Sequence, residues 1–147
     1  MANIATEGND VLTGGSGVDT INGGAGSDII NSGAGNDIIN GGAGSDRLNG
    51  GSGADTLIYT LTENRGATDV YTGGSGIDTL RLQLTHAEWT DPAVRVQLQL
   101  YVEFLQRVKM NPQGEVSNGT ASDFVFTFAG GTKLTVQMME TLEIRVQ

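Results

Sequence analysis

Aspartate recurs every nine residues in the first part of this 147-residue chain, at Asp10, Asp19, Asp28, Asp37, Asp46 and Asp55. Acid–base catalysis needs acids in different environments, whereas identical carboxylates at identical spacing suit repeated binding of a cation. Because the pattern includes no nitrogen or sulfur ligand, it indicates a hard divalent ion. Calcium accepts flexible shells of carboxylate and backbone oxygens, whereas magnesium demands tighter octahedral geometry. We therefore predict several calcium ions.

Glycines precede each aspartate in a fixed pattern. Pairs lie at Gly14-Gly15, Gly23-Gly24, Gly41-Gly42 and Gly50-Gly51, with Ser32-Gly33 as a near match. A further glycine stands two residues before each acid, at Gly8, Gly17, Gly26, Gly35, Gly44 and Gly53. Glycine reaches positive φ without a Cβ clash, so these turns can aim several backbone carbonyls at one point.

One aliphatic residue follows each aspartate by two positions, at Leu12, Ile21, Ile30, Ile39, Leu48 and Leu57. The unit is thus a turn of six residues and a strand of three, which must stack on its neighbours to bury a core. Alternate turns then share an edge, so that Asp10, Asp28 and Asp46 line one edge and Asp19, Asp37 and Asp55 the other. Like charges this close cost about 1 kcal/mol or more per pair, so cations must lie between them.

The repeats GGSGVDTIN, GGAGSDIIN, SGAGNDIIN, GGAGSDRLN and GGSGADTLI resemble the nonapeptide of the RTX family. The resemblance covers about residues 5 to 81 and implies a parallel β-roll. It also implies that carbonyls and both aspartates of turns eighteen residues apart hold each calcium. The implied partners are Gly24, Gly26 and Asp28 with Gly41, Ala43 and Asp46; Gly15, Gly17 and Asp19 with Ser32, Ala34 and Asp37; and Gly33, Gly35 and Asp37 with Gly50, Ser52 and Asp55. A looser first site would pair Thr6, Gly8 and Asp10 with Gly23, Ala25 and Asp28, and the predicted ligand set also includes Gly42, Gly44, Gly51 and Gly53.

A flexible linker, an array of hairpins and a phosphate-binding loop each fit the glycine-rich region less well. A linker would not keep an aliphatic residue at every ninth position. Asn-Gly at 22, 40 and 49 is typical of antiparallel hairpins, but two-residue turns would leave the remaining glycine and the aspartate without a role. A phosphate-binding loop is excluded because no Gly-Lys-Ser/Thr follows and the turns are acidic.

The register shifts after Ile58, where Tyr59 to Glu63 insert five residues. Residues 64 to 72 then form a degenerate repeat, and residues 73 to 81 form a regular one. Asp69 and Asp78 are either further calcium ligands or solvated surface acids, and the role of Glu63 is equally open.

Residues 82 to 147 have the patterns of an ordinary fold, and we interpret them as a cap on the roll of residues 1 to 81. Leu80, Leu82 and Leu84 alternate as a strand; Thr85 to Glu88 match a capping box, and Asp91-Pro92 matches a helix start. An apolar stripe then runs through Val94, Leu98, Tyr101, Leu105 and Val108, and Asn111-Pro-Gln-Gly ends it. Further strands are predicted around Phe124, Phe126 and Phe128, at Lys133 to Gln137, and at Leu142 to Val146. The predicted fold class is all-β dominated, a right-handed parallel β-roll whose C-terminal cap holds one helix and a few strands.

Composition excludes several functions. A formal charge of −9 argues against a nucleic-acid partner, and there is no cysteine. Residues 1 to 10 lack the basic and apolar segments of a secretory signal peptide, and no apolar run reaches membrane-spanning length. His86 is the only histidine and has no nucleophile or zinc-ligand spacing beside it, and Trp89 is better explained as a core residue. We therefore predict a monomer without enzymatic activity or membrane insertion.

Glycine-rich, like-charged repeats bury too little apolar surface to fold alone, so we expect calcium to drive folding. The resemblance implies type I secretion, with a C-terminal signal, of a larger protein that is extracellular or on the bacterial surface. The run from residue 54 to residue 80 is most similar to the C-terminal end of large adhesins. The alternative is a module that binds a polysaccharide or another surface partner, but the roll offers only Arg47, Arg65 and Arg81 for such a ligand.

Overall fold

A computed structural model of the chain describes residues 2–4, 7–107 and 123–147. Its first nine strands follow the repeats: β1 Ala2–Ile4, β2 Val11–Thr13, β3 Thr20–Asn22, β4 Ile29–Asn31, β5 Ile38–Asn40, β6 Arg47–Ser52, β7 Thr56–Thr60, β8 Thr68–Ser75 and β9 Thr79–Leu84. Helices α1 (His86–Thr90) and α2 (Pro92–Arg107) come next. The chain ends with β10 Asp123–Thr127, a 3₁₀ turn at Ala129–Gly131, β11 Lys133–Gln137 and β12 Thr141–Val146.

The strands form two six-stranded sheets, in the orders β1-β3-β5-β7-β9-β12 and β10-β11-β8-β6-β4-β2. Every pair is parallel except β10 with β11. Strands β1 to β9 alternate between the sheets, so each strand of the repeats pairs with the strand one full coil later; Thr20, for example, lies opposite Ile38. The predicted parallel β-roll is therefore confirmed.

The core between the sheets is the predicted ladder of single aliphatic residues. Ile21, Ile30, Ile39, Leu48 and Leu57 are buried and Leu12 is partly buried, while their strand neighbours face outward. Because the turns are built from glycine, each coil of the repeat region adds few apolar side chains to this core. Its burial energy per residue is correspondingly small.

The adjacent residues Ile38 and Ile39 of β5 test which side chains point into the core and which point to solvent. Ile39 is completely buried, whereas Ile38 is 40% exposed on the outer face of the same strand. We expect Ile39→Ala to lower the free energy of unfolding of the calcium-loaded protein by about 2–5 kcal/mol, because it opens a cavity in the ladder. Ile38→Ala should cost less than about 1 kcal/mol. Urea unfolding of both variants in saturating calcium measures the difference, and equal effects would contradict the assignment.

The C-terminal part continues the roll. Strands β11 and β12 pair in parallel with β8 and β9, and so extend both sheets by one strand, while β10 adds an antiparallel edge. Helix α2 packs its buried Val94, Leu98 and Tyr101 onto the core, and the ring of Tyr101 lies 4.9 Å from that of Phe126. The division into a roll and a cap at residues 81 and 82 remains a prediction.

Two helices form where the sequence predicted one. Thr85 and Glu88 make the expected capping box, but the helix that they begin is the five-residue α1. Asp91 then accepts a hydrogen bond from the Ala93 N–H at 2.8 Å and begins α2 at Pro92. Val108 and Asn111-Pro-Gln-Gly lie outside the described residues. No helix in the described part of the chain is both long and apolar enough to cross a lipid bilayer.

Candidate metal centre

Backbone-to-carboxylate hydrogen bonds align the aspartates along two edges of the roll. On the first edge, the N–H groups of Asp10, Asp28 and Asp46 donate to the carboxylate Oδ1 atoms of Asp28, Asp46 and Asp69, at 2.8, 2.9 and 2.7 Å. On the second edge, the N–H groups of Asp19, Asp37 and Asp55 donate at 2.8 Å each to the Oδ1 atoms of Asp37, Asp55 and Asp78. The two predicted edges therefore exist, and an N–H group of the preceding coil holds each of these six accepting carboxylates.

The second oxygen of these carboxylates is buried without a hydrogen-bond partner. This holds for the Oδ2 atoms of Asp28, Asp37, Asp46, Asp55 and Asp69. A buried, ionised oxygen with no donor carries a large desolvation cost, so proteins pair such groups or bind metals with them. The repetition of this feature from coil to coil fits a series of cations.

In several turns, the first glycine lies where an aspartate Oδ2 atom and a backbone carbonyl oxygen of the next coil come close to each other. A Cβ atom added at Gly23 would contact both the Asp28 Oδ2 atom and the Gly41 carbonyl oxygen. One added at Gly50 would contact the Asp55 Oδ2 atom and the Gly73 carbonyl oxygen in the same way. The absent side chain thus leaves carboxylate and carbonyl oxygens facing a common point, as a calcium ligand set requires.

The other predicted carbonyl donors also lie between the coils. The carbonyls of Gly15, Gly24 and Gly33 accept hydrogen bonds from the N–H groups of Ala34, Ala43 and Ser52 at 2.8–2.9 Å. A carbonyl oxygen has two lone pairs, so these bonds leave capacity for a metal. Among the described residues, no group of three histidine, cysteine or acidic side chains gathers at one place.

The first predicted site is described only in part. Thr6 lies outside the described residues, and Gly8 is exposed. A Cβ at Gly26 would contact the Gly8 carbonyl oxygen, so this turn does stack on the third one. In the turn where Ser32-Gly33 replaces the glycine pair, Ser32 is buried, and its hydroxyl donates to the Gly50 carbonyl at 2.5 Å. Its side chain is therefore accommodated inside the stack.

Comparison with known proteins agrees with this geometry. The family model of the RTX calcium-binding nonapeptide repeat matches residues 4–39, 23–57 and 65–81. The repeat region belongs to the RTX family. These repeats bind several calcium ions, which confirms the predicted cofactor, while the individual ligand assignments remain predictions.

A solved structure has the same fold as this chain. The solution structure of the AlgE6R3 subunit from the Azotobacter vinelandii mannuronan C5-epimerase superposes with a TM-score of 0.51 at 22% sequence identity, covering 89% of this chain and 71% of that one. This similarity supports the β-roll architecture. No curated protein matched the sequence significantly.

The five-residue insertion leaves the RTX register of both edges intact. Asp69 and Asp78 occupy the next carboxylate position on their edges, although each lies 23 residues from its predecessor. Both are completely buried, which excludes solvated surface acids. Glu63, whose role the sequence leaves open, is exposed in the inserted loop.

The degenerate RTX turn uses a side chain in place of a backbone carbonyl. In regular turns a glycine N–H donates to a carbonyl of the next coil, as Gly26 does to Ala43 at 2.8 Å. The corresponding Gly44 N–H instead donates to the Asn64 side-chain oxygen at 3.3 Å. Asn64 is buried and also donates to the Thr60 carbonyl at 3.1 Å. The sequence identified residues 64 to 72 only as a degenerate repeat, because the replacement of the carbonyl by Asn64 depends on the path of the insertion.

Burial changes the acidity of the carboxylates on the first edge. Burial, together with repulsion from Asp46, raises the pKa of Asp69 to about 7, although the hydrogen bond from the Asp46 N–H acts in the opposite direction. The pKa of Asp46 rises to about 6, mainly because of burial and partly because of the Asp28 charge. Without metal, these groups take up protons near neutral pH.

Opposite pH responses with and without calcium follow from these shifts. The ordinary aspartate pKa is 3.8, so the metal-free folded state binds protons more tightly than the unfolded chain does. The resulting stabilisation is complete below pH 3.8 and is lost as the pH rises through about 6 to 7. In metal-free buffer we expect more β-structure at about pH 5 than at about pH 8. The calcium concentration needed for folding should instead be higher at about pH 5, because protons compete with calcium for the carboxylates. Circular dichroism at both pH values measures each response, and a pH-independent calcium midpoint would contradict the prediction.

Proposed function

We propose that this chain is a calcium-triggered folding module of a larger secreted or surface protein. It stays disordered where calcium is scarce and forms the β-roll where calcium is abundant. The observation that carries the proposal is the series of buried, unpartnered carboxylate oxygens at Asp28, Asp37, Asp46, Asp55 and Asp69.

The energetic argument compares the roll with and without cations. Each repeat contributes one inward aliphatic side chain, and full burial of such a side chain is worth about 1.5–3 kcal/mol. Against this gain stand the backbone entropy of nine ordered residues and the cost of burying carboxylates close together. Metal binding to sites that are absent from the unfolded chain supplies folding free energy. Calcium concentration therefore decides whether the repeat region folds.

This behaviour suits export by type I secretion. A chain that is disordered in a calcium-poor cytosol passes through a narrow channel unfolded, and calcium outside the cell then folds it and prevents its return. We propose an extracellular or cell-surface location and a parent protein such as an adhesin. In this assignment the module is monomeric and non-catalytic, and it meets the secretion machinery only during export.

A calcium titration tests the proposal directly. Far-ultraviolet circular dichroism of the metal-free protein should show a disordered chain that gains β-structure cooperatively at roughly 0.1–1 mM calcium, as expected of extracellular modules. Magnesium at the same concentrations is the matched control and should not fold it. Complete folding in chelator would refute calcium-triggered folding.

Polysaccharide binding finds less support, because two of the three arginines available on the roll have acidic partners. The Arg65 guanidinium nitrogen Nη2 lies 3.4 Å from the Glu88 Oε1 atom, and the Arg81 Nε atom lies 2.6 Å from the Glu143 Oε2 atom. A groove for an acidic glycan requires cationic groups that are available to the ligand.

A further inference from the structure

The carboxylate ladder of the second edge does not stop at Asp78. The Asp78 N–H donates to a carboxylate oxygen of Glu140 at 2.7 Å, as each preceding aspartate N–H on this edge donates to the next aspartate. The following residue repeats the pattern as well: the Thr141 N–H donates to the Asp78 carbonyl at 3.0 Å, as Thr79 does to Asp55 at 2.8 Å. Glu140 therefore occupies the aspartate position of one more coil, outside the recognisable repeats.

A three-residue turn brings Glu140 to this position. Gln137 pairs with Thr72, and Thr141 pairs with Thr79, so residues 138–140 span the distance that residues 73–78 span in the preceding coil. Met138 takes the place of the first turn glycine and is the one residue other than glycine with positive φ in the described ranges 2–4, 7–107 and 123–147, at 53°. The shorter turn is compensated by the longer side chain of glutamate.

The oxygen cradle of the regular turns is rebuilt at this last coil. A Cβ at Gly73 would contact both the Asp78 Oδ2 atom and the Met138 carbonyl oxygen. The same carboxylate and carbonyl pair surrounds Gly23 and Gly50 in the repeats. Glu140 itself is only 7% exposed, and its carboxylate accepts the N–H of Asp78, whose Oδ2 atom faces this cradle.

The first edge ends differently. There, the buried Leu134 of β11 pairs with Asp69, so an apolar residue stands at the position that Glu140 takes on the second edge. A buried carboxylate thus continues the second edge, whereas a leucine side chain ends the first.

We propose that Glu140 is a calcium ligand, and that with Asp78 and the Met138 carbonyl it forms an additional end site on the second edge. The site takes a hard divalent cation and ties the C-terminal strand β12 to calcium binding by the repeats. It rests on the calcium-dependent folding proposed above, and it makes residues outside the RTX repeats part of the same response.

The variant Glu140→Gln distinguishes a metal ligand from a simple hydrogen-bond acceptor. Glutamine keeps an oxygen that can accept the bond from the Asp78 N–H, but it lacks the charge that calcium requires. We expect the folded variant to bind one calcium ion fewer than the wild type, or to bind one ion at least about tenfold more weakly, in equilibrium dialysis and isothermal titration calorimetry. Glu143→Gln is the matched control on the same strand and should keep every ion, because Glu143 is paired with Arg81 and Arg145. Unchanged stoichiometry and affinity in Glu140→Gln would overturn the proposal.

A second measurement needs no variant. Crystals of the calcium-loaded wild-type protein should give an anomalous calcium peak at about 2.3–2.6 Å from a Glu140 carboxylate oxygen. Peaks between the repeat coils but not at Glu140 would refute the end site while leaving calcium-triggered folding intact. Absence of calcium-dependent folding in the wild type would instead refute the proposed function.

Discussion

Replacing Asp37 with asparagine should raise the calcium concentration needed for folding by about tenfold or more. Asp37 lies in the middle of the second edge, where its carboxylate accepts the Asp19 N–H and its own N–H donates to Asp55, at 2.8 Å each. Asparagine keeps the acceptor oxygen but removes the charge. It also places an amide N–H₂ group where the Oδ2 atom is buried without a donor. On the predicted ligand assignment, two neighbouring cation sites would therefore lose a ligand at once.

The control for this variant is Asp123→Asn. Asp123 is exposed on β10, and its carboxylate accepts a 2.9 Å hydrogen bond from Gln137, which asparagine can also accept. Both variants lower the net negative charge equally, so a general electrostatic effect would shift both calcium midpoints alike. Circular dichroism against calcium concentration separates a lost ligand from this general effect, and equal midpoints for the two variants would show that Asp37 is not a ligand.

The repeat period made the first part of the fold predictable. One aliphatic residue in nine, two positions after each aspartate, determines where each strand lies and which way its central side chain points. Strand β4, for example, is Ile29–Asn31 with Ile30 buried, as the spacing requires. A solenoid depends mostly on contacts between successive coils, so a local pattern carries most of the information about its fold.

The last coil could not be predicted, because no local pattern marks it. Residues 138–140 contain neither glycine nor aspartate, and Glu140 meets Asp78 across a separation of 62 residues. What brings them together is the pairing of β11 and β12 with β8 and β9. Asn64 was missed as a substitute for a carbonyl for the same reason, since its partner Gly44 depends on the path of the inserted loop. Register between distant strands is a property of the whole fold.

The variant Gly42→Ala should prevent the roll from folding at calcium concentrations that saturate the wild type. Gly42 has a φ of 95°, and a Cβ there would collide with the Gly24 carbonyl of the preceding coil. That carbonyl belongs to the predicted calcium ligands and also accepts the Ala43 N–H at 2.8 Å. The backbone strain costs about 1–3 kcal/mol, and relief of the collision must separate the two coils or rotate the carbonyl away from the metal.

The control variant Gly130→Ala has the backbone strain without the collision, so comparing the two variants separates these effects. Gly130 also has positive φ, at 74°, but nothing lies within 4 Å of the position that its Cβ would occupy. It should therefore show only the strain, about 1 kcal/mol in urea unfolding with saturating calcium, and its calcium midpoint should stay close to that of the wild type. Similar losses in the two variants would mean that positive φ alone explains the turn glycines. A far larger loss for Gly42→Ala would mean that these glycines are required because the coils stack closely enough for their carbonyls to share a cation.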